Sequence, residues 1–103
     1  MKGKAYVIDV QGKIDIHELT ETPTLEQLKG WIGGGYLEHV PLWNEHEGKS
    51  CVVFCDEDGK IKGMPLNRVA TQMWYDAAGA YVSDHLVGQI VIIAGDKALI
   101  RSM

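Results

Sequence analysis

The residues best suited to hold a small ligand include two aromatic side chains on either side of a glycine run. Trp31 and Tyr36 flank this run, which begins with Gly33 and Gly34. Indole and phenol rings can stack on a planar ligand, and glycines let a ligand approach the backbone closely. The structural alternative is that the rings pack at the rim of the core and that Gly33 ends a helix as its C′ residue.

A second candidate segment is Met64–Arg68, where Asn67 and Arg68 stand at the predicted start of a helix. Unpaired N–H groups at a helix N-terminus attract anions, and arginine adds a bidentate donor. We therefore predict that Asn67 supplies hydrogen bonds and Arg68 supplies charge for a phosphate or carboxylate, with ordinary helix capping as the alternative. A single site built from both segments requires Trp31 and Arg68 to border a common hollow.

The cysteines give little support to metal binding or thiol chemistry. Cys51 and Cys55 lie in a β-branched and aromatic run. In a strand they would point to one face about 13 Å apart, beyond the reach of a disulfide. We predict buried structural thiols, with a metal pair or a reactive thiol as the alternatives.

The histidines and the glycine run likewise predict no metal site and no phosphate-binding loop. His39 and His46 flank a polar loop without a fixed ligand spacing. His85 follows Asp84, but adjacent strand residues point to opposite faces. The glycine run follows a helix instead of preceding one, so it lacks the context of a phosphate-binding loop. No metal and no cofactor are expected.

Composition limits the classes of function. Among 103 residues, 14 are acidic and 10 are basic, for a net charge of -4. Such a chain lacks the positive field needed to coat nucleic acid. The apolar run at residues 90–94 is far shorter than the roughly 20 residues of a membrane span, and Asp9 interrupts the first apolar run before it reaches signal-peptide length. We expect one domain over residues 1–103, located in the cytosol without a membrane partner.

Hydrophobic periodicity predicts two helices and seven short strands in the order ββαβββαββ. The first helix begins at Thr24, because Gln27 completes a capping box, and ends at Gly33. The second runs from the N-cap Asn67 to Gly79. The strands are predicted at residues 4–10, 13–19, 36–43, 50–55, 60–64, 86–94 and 98–102.

Tight turns between neighbouring strands, such as the Asp-Gly turn at residues 58–59, favour antiparallel pairing. We therefore expect an α+β fold. It would be a two-layer sandwich with a mostly antiparallel sheet of about five to seven strands and both helices on one face.

Five segments, taken in order, resemble the domain of unknown function 3846 (DUF3846) family over residues 4–96: 25–28, 33–38, 56–60, 63–71 and 87–92. They follow that family's order of a Gly-Gly-x-Glu segment, a Gly-x-Pro-x-Asn segment and a final Gly-rich strand. The departures are the third glycine, Gly35, and Tyr36 before Leu37. The resemblance implies an origin in a phage or another mobile element of bacteria, and it implies no reaction.

Together these features predict a non-catalytic homo-oligomer that binds a small anionic or nucleotide-like ligand, as sponge-like phage counter-defence proteins do. An alternative is an acidic module that inhibits or redirects a host protein. Its carboxylates would be Glu45, Glu47, Asp56, Glu57 and Asp58. A third class is a small phosphodiesterase or deaminating enzyme that depends on His39.

Overall fold

Six strands form one antiparallel sheet in the computed structural model, which describes all 103 residues apart from the side chain of Ala80. The strands are β1 (Gly3–Ile8), β2 (Ile14–Leu19), β3 (Leu37–His39), β4 (Glu45–His46), β5 (Lys49–Asp56) and β6 (Ile90–Gly95). The helices are α1 (Leu25–Trp31), α2 (Arg68–Ala78) and α3 (Lys97–Ser102), with a 3-10 turn at Gly79–Tyr81. Across the sheet the order is β2-β1-β6-β5-β3, and β4 pairs with the same strand as β3 does. The predicted α+β class is confirmed.

The central strand, β6, is buried on both of its faces, since all six of its residues are buried. We call the two sides of the sheet the α2 face and the α1/α3 face. The core of the α2 face includes Tyr6, Ile8, Val53, Ala70, Trp74, Ile90 and Ile92. The core of the α1/α3 face includes Ala5, Val7, Leu28, Ile32, Val91, Ile93 and Leu99. The helices therefore cover both faces, and the expected placement of both helices on one face is wrong.

The first hairpin and the first helix form at the predicted places because their signals are local. The Asp9 carboxylate closes the β1–β2 turn by accepting hydrogen bonds from the amides of Gln11 and Lys13, each at 2.9 Å. The capping box at α1 is complete: the Gln27 amide donates to Thr24 Oγ1 at 3.1 Å, and the Thr24 amide donates to Gln27 Oε1 at 2.8 Å. Among the described helices, none is long and apolar enough to span a membrane.

Residues 60–64 form a compact turn instead of the predicted strand. The Asp58 amide donates to Asp56 Oδ1 at 2.9 Å, which bends the chain directly after β5. The Lys62 amide then donates to the carbonyl oxygen of Asp58 at 2.9 Å. This local bonding leaves Ile61 88% exposed, so the return strand expected after the Asp-Gly turn does not form.

Residues 97–102 form α3, where the sequence predicted a final strand. The Leu99 amide donates to Asp96 Oδ1 at 2.9 Å, so Asp96 is a side-chain N-cap. Leu99 is fully buried on the α1/α3 face. Gly95 and Asp96 stand between the strands predicted at residues 86–94 and 98–102, and they form a helix start instead of a turn between strands.

Gly3 and Gly95 lie opposite each other on β1 and β6, and their lack of side chains lets α3 approach the sheet. A Cβ added to Gly95 would stand 2.5 Å from the carbonyl oxygen of Lys2 and 2.8 Å from Leu99 Cδ2. A Cβ on Gly3 would collide with the same leucine. The position of α3 depends on both glycines.

We expect Gly95→Ala to lower the free energy of unfolding by about 1 to 3 kcal/mol, because the added methyl group overpacks this contact. Gly30→Ala is the matched control: Gly30 lies in α1 with no atom within 4 Å of an added Cβ, so alanine should stabilise the helix by about 0.5 to 1 kcal/mol. Urea unfolding followed by circular dichroism measures both changes. A Gly95→Ala protein as stable as the wild type would contradict this packing.

Candidate ligand-binding site

The two predicted ligand segments lie on opposite faces of the sheet. Trp31 is the last residue of α1, which packs on the α1/α3 face. Asn67 and Arg68 begin α2, which packs on the α2 face. The prediction that Trp31 and Arg68 border a common hollow is therefore wrong, because it required both helices to lie on the same side of the sheet.

Gly33 and Gly34 end α1 by means of two backbone hydrogen bonds. The Gly33 amide donates to the carbonyl oxygen of Gly30 at 3.1 Å, and the Gly34 amide donates to that of Lys29 at 2.7 Å. This is the Schellman pattern, with Gly33 as the predicted C′ residue at φ 87°. An added Cβ at Gly33 or Gly34 would meet no atom within 4 Å, so neither glycine is needed for a close approach inside the fold.

Gly35, the third glycine, makes room for an ion pair between the buried Asp56 and the exposed Lys62. Lys62 Nζ donates to Asp56 Oδ2 at 2.6 Å, and a Cβ on Gly35 would lie 2.6 Å from that carboxylate oxygen and 2.8 Å from that ammonium nitrogen. The Glu57 amide also donates to the carbonyl oxygen of Tyr36 at 2.9 Å. The glycine run is thus joined to the turn that follows β5.

Trp31 and Tyr36 do not share one stacking surface. The Trp31 ring is half-buried and stacks on His17, with the ring centroids 5.3 Å apart. The Tyr36 side chain is 65% exposed, and Lys29 Nζ lies 5.1 Å from its ring centroid. Each ring already has a neighbour within the chain, and ligand binding by either of them stays a prediction.

The Asn67 side chain is fully buried, and both ends of its amide are bonded inside the fold. Its Nδ2 donates to the carbonyl oxygens of Ile8 at 3.0 Å and Gly88 at 2.9 Å, while its Oδ1 accepts from the Ala70 amide at 3.0 Å. Asn67 thereby fixes the start of α2 against the ends of β1 and β6. The neighbouring Arg68 is exposed, and its ligand role also stays a prediction.

We expect Asn67→Ala to lower the free energy of unfolding by about 2 to 4 kcal/mol, because it removes the helix cap and leaves two buried carbonyl oxygens without their donor. Asn44→Ala changes the same residue type at an exposed position and should cost less than about 0.5 kcal/mol. Chemical denaturation measures both. Equal stability of the two variants would refute the structural role of Asn67.

The five carboxylates of the acidic-module alternative do not form one surface. Glu45 and Glu47 lie at one end of the eight-residue strand β5, whereas Glu57 and Asp58 follow its other end. Asp56 is buried and paired with Lys62, whose side chain is 43% exposed. Burial alone would raise the pKa of Asp56, but hydrogen bonds from Lys62 and from the Asp58 amide lower it below the usual value. The Asp56 charge is therefore used inside the fold.

Both cysteines are free, and both are poor nucleophiles at neutral pH. Cys51 is buried with its Sγ 3.4 Å from the carbonyl oxygen of Trp43, and Cys55 is half-buried. Burial raises the pKa of each thiol to about 11, and neighbouring carboxylates add to the effect. Within the described residues there is no cluster of three or more metal-ligating side chains.

Cys55 lines a hollow of about 200 Å³ between β3, β5, α2 and residues 84–87. Asp84 and His85 both line it, although the sequence placed them on opposite faces of a strand. Residues 82–86, which the structure describes, are irregular, so strand alternation does not apply there. Lys60 donates to the Asp84 carboxylate and lowers its pKa. The volume of this hollow is below the roughly 300 Å³ at which ligand pockets begin.

A larger hollow of about 370 Å³ lies on the α2 face, where β1, β6 and the β4–β5 hairpin meet. Its volume falls within the range of small-molecule sites. We call it the lysine hollow, and its lining is formed by Lys2, Gly3, Lys4, Tyr6, Glu18, Glu47, Lys49, Ala94, Gly95 and Asp96. The strand register brings these residues together, because β6 lies between β1 and β5 and places Lys4 beside Ala94 and Ala94 beside Cys51.

The three carboxylates of the lysine hollow each have a partner within the chain. Glu18 lies 3.8 Å from Lys4 Nζ, Asp96 lies 3.9 Å from the N-terminal amine, and Glu47 accepts a hydrogen bond from the Tyr6 hydroxyl at 3.2 Å. In the part of the chain that the structure describes, Lys2 and Lys49 form no ion pair. These two ammonium groups are the charges available to a ligand.

Tyr6 is the aromatic residue in the lining of the lysine hollow, and it is largely buried. Burial and the nearby Glu47 carboxylate raise the pKa of its phenol, so the hydroxyl keeps its proton at neutral pH. The His46 ring meets the Tyr6 ring edge to face at 4.5 Å between centroids. Burial lowers the pKa of His46, against the opposing effect of Glu47. The neutral form of His46 is therefore favoured, and its ring packs edge to face against the ring of Tyr6.

The sequence prediction missed the lysines of this hollow. Lys4 and Tyr6 lie two residues apart on β1 and must share a face, which was a usable local signal. Lys49 was assigned to a polar loop, and nothing in its local sequence places it near Lys4. Only the insertion of β6 between β1 and β5 brings these residues together.

Comparison with known proteins gives one match. The family model described as domain of unknown function (DUF3846) matches residues 1–100, so the chain belongs to that family. No curated protein and no solved structure matches the chain.

Proposed function

We propose that this DUF3846 protein is a non-catalytic binding protein whose lysine hollow holds a small anionic or nucleotide-like ligand. The observation that carries the proposal is the convergence of Lys2, Lys4 and Lys49 around the Tyr6 ring in one hollow. Lysine is a flexible point charge that binds phosphate or carboxylate oxygens. A small anionic group held by the lysines is the chemistry that this lining accepts.

The floor of the lysine hollow suits a flat ligand. Ala94 directs a small side chain to this face, so a ligand can approach the strand backbone here, whereas side chains at Gly3 and Gly95 would point toward α3 on the other face. Tyr6 borders this floor, but it is 7% exposed and its hydroxyl group bonds to Glu47, so a planar ligand would rest on the floor itself. The lysines lie around the same floor, where they can reach the charged end of such a molecule.

The carboxylates of the lysine hollow already have partners within the chain, which favours ligand binding over catalysis. The carboxylates of Glu18 and Glu47 are engaged by Lys4 and by the Tyr6 hydroxyl, and the Tyr6 phenol stays protonated. The lining residues, all of them described, include no cysteine and no histidine. A protein of this kind acts by sequestering its ligand, which is the mode of action of the sponge-like role expected from the sequence.

Thermal unfolding in a panel of anions tests the proposal, with inorganic phosphate, mononucleotides and cyclic dinucleotides as ligands and spermidine as a cationic control. A bound anion present at about 100 times its dissociation constant should stabilise the protein by about 2.7 kcal/mol. We expect the Lys2→Gln/Lys49→Gln variant to lose this stabilisation, because it removes the two ammonium groups without an ion pair in the chain.

The matched control is Lys29→Gln/Arg68→Gln, which removes the same charge from the segments predicted by the sequence. It should retain binding. Loss of binding in the control alone would move the site to those segments, and stabilisation by spermidine but by no anion would refute an anionic ligand.

A further inference from the structure

Strand β2 is an edge strand with no neighbour on its outer side, whereas the opposite edge of the sheet consists of two short, separate strands. Only Leu19 among the six residues of β2 is buried. Ile14 is 42% exposed and Ile16 is 55% exposed. The opposite edge consists of the three-residue β3 and the two-residue β4, separated by Pro41 and by Leu42 at φ 62°. Such interruptions discourage strand pairing, and β2 has no equivalent.

The backbone of β2 directs alternate residues away from the protein. The Asp9 amide donates to the carbonyl oxygen of Lys13 at 3.0 Å, so these residues form a hydrogen-bonded pair at the end of the hairpin. In an antiparallel ladder the two pair types alternate. Asp15 and His17 therefore bond to β1, while Ile14, Ile16 and Glu18 direct their N–H and C=O groups outward.

We propose that β2 is a dimer interface at which it pairs antiparallel with β2 of a second copy of this chain, Ile16 lying opposite the partner's Ile16. A two-fold axis through this pair continues the sheet from one subunit into the other. The outward groups of Ile14 then meet those of the partner's Glu18, and the reciprocal pair forms on the other side of the axis. Each of the three pairs exchanges two backbone hydrogen bonds.

The match between a carboxylate acceptor and an imidazole N–H donor selects this register and this partner. With Ile16 at the axis, Asp15 lies opposite the partner's His17, and the contact occurs twice by symmetry. Both positions belong to the non-hydrogen-bonded pairs, whose side chains are closest. Shifting the pairing register by two residues in one direction would place Asp15 opposite the partner's Asp15. Shifting it by two residues in the other direction would place His17 opposite the partner's His17. Strand β2 is thus self-complementary in one register.

The side chains near Asp15 and His17 are compatible with this contact. Lys13 Nζ lies 3.8 Å from Asp15 Oδ1, and the Asp15 side chain is still 59% exposed. His17 is held by its stack on Trp31, which fixes the imidazole beside the edge. On the other face of the strand, the contact buries Ile16 against its symmetry mate, which accounts for an exposed isoleucine at the middle of an edge strand.

Light scattering coupled to size exclusion on the full chain tests the dimer. The wild type should be a dimer that dissociates on dilution, and Ile16→Lys should be monomeric because two ammonium groups would meet at the axis. Ile61→Lys is the matched control, since Ile61 is 88% exposed in the turn after β5, and it should remain dimeric. A monomeric wild type up to millimolar concentration would overturn the proposal and leave the edge to a strand of another protein. A dimeric Ile16→Lys would place the interface elsewhere.

A charge exchange tests the register. Asp15→Lys should raise the dimer dissociation constant about tenfold or more, because an ammonium group then faces the partner's His17 at two positions. Adding His17→Asp should restore dimerisation by placing Lys against Asp across the axis. Glu26→Lys on α1 makes the same charge change away from the edge and should have no effect. Failure of the double variant to recover any association would overturn this register.

Discussion

The burial of β6 on both faces is the constraint on which the rest of the structure depends. Ile90 and Ile92 face α2, while Val91 and Ile93 face α1 and α3. A strand with no solvent-exposed face must be covered by other elements on both sides of the sheet, so helices must pack on both faces. Because β6 also lies between β1 and β5, it sets the position of every residue contributed by those two strands.

The same constraint separates the predicted ligand residues and assembles others. It places Trp31 and Arg68 on opposite sides of the sheet, so they cannot serve one small ligand. It brings Lys4 on β1 near Lys49 on β5, although 44 residues lie between them in the sequence. The lysine hollow forms on the α2 face beyond the helix, where the strand ends remain open to a ligand.

Helix caps and helix ends could be predicted from the sequence because they depend on neighbouring residues. The pairing of strands that are distant in sequence could not. The capping box of Thr24 and Gln27, the helix stop at Gly33 and the N-cap at Asn67 involve residues close in sequence, and they formed as predicted. Asp96 carried an equally local N-cap signal, but a Gly-Asp pair between apolar runs also fits a hairpin turn. The choice between these two interpretations depended on Leu99 reaching the core, which is a tertiary contact.

The candidate site was less predictable because its parts come from the start, the middle and the end of the chain. Aromatic residues beside glycines suggested stacking, yet Gly33 and Gly34 end a helix, and Gly35 accommodates the Asp56–Lys62 pair. Asn67 resembled a ligand-binding amide from its type and its place at a helix start. Its bonds to Ile8 and Gly88 could be seen only in the folded chain.

Native-state hydrogen exchange of the backbone amides tests the central place of β6 most directly. We expect the amides of Ile92 and Ile93 to exchange only through global unfolding, with a free energy of opening equal to that of the whole protein. The outward amides of Ile14 and Ile16 should exchange much faster at protein concentrations where the chain is monomeric. Exchange of the β6 amides by local opening, at rates similar to those of β2, would contradict the central role of β6.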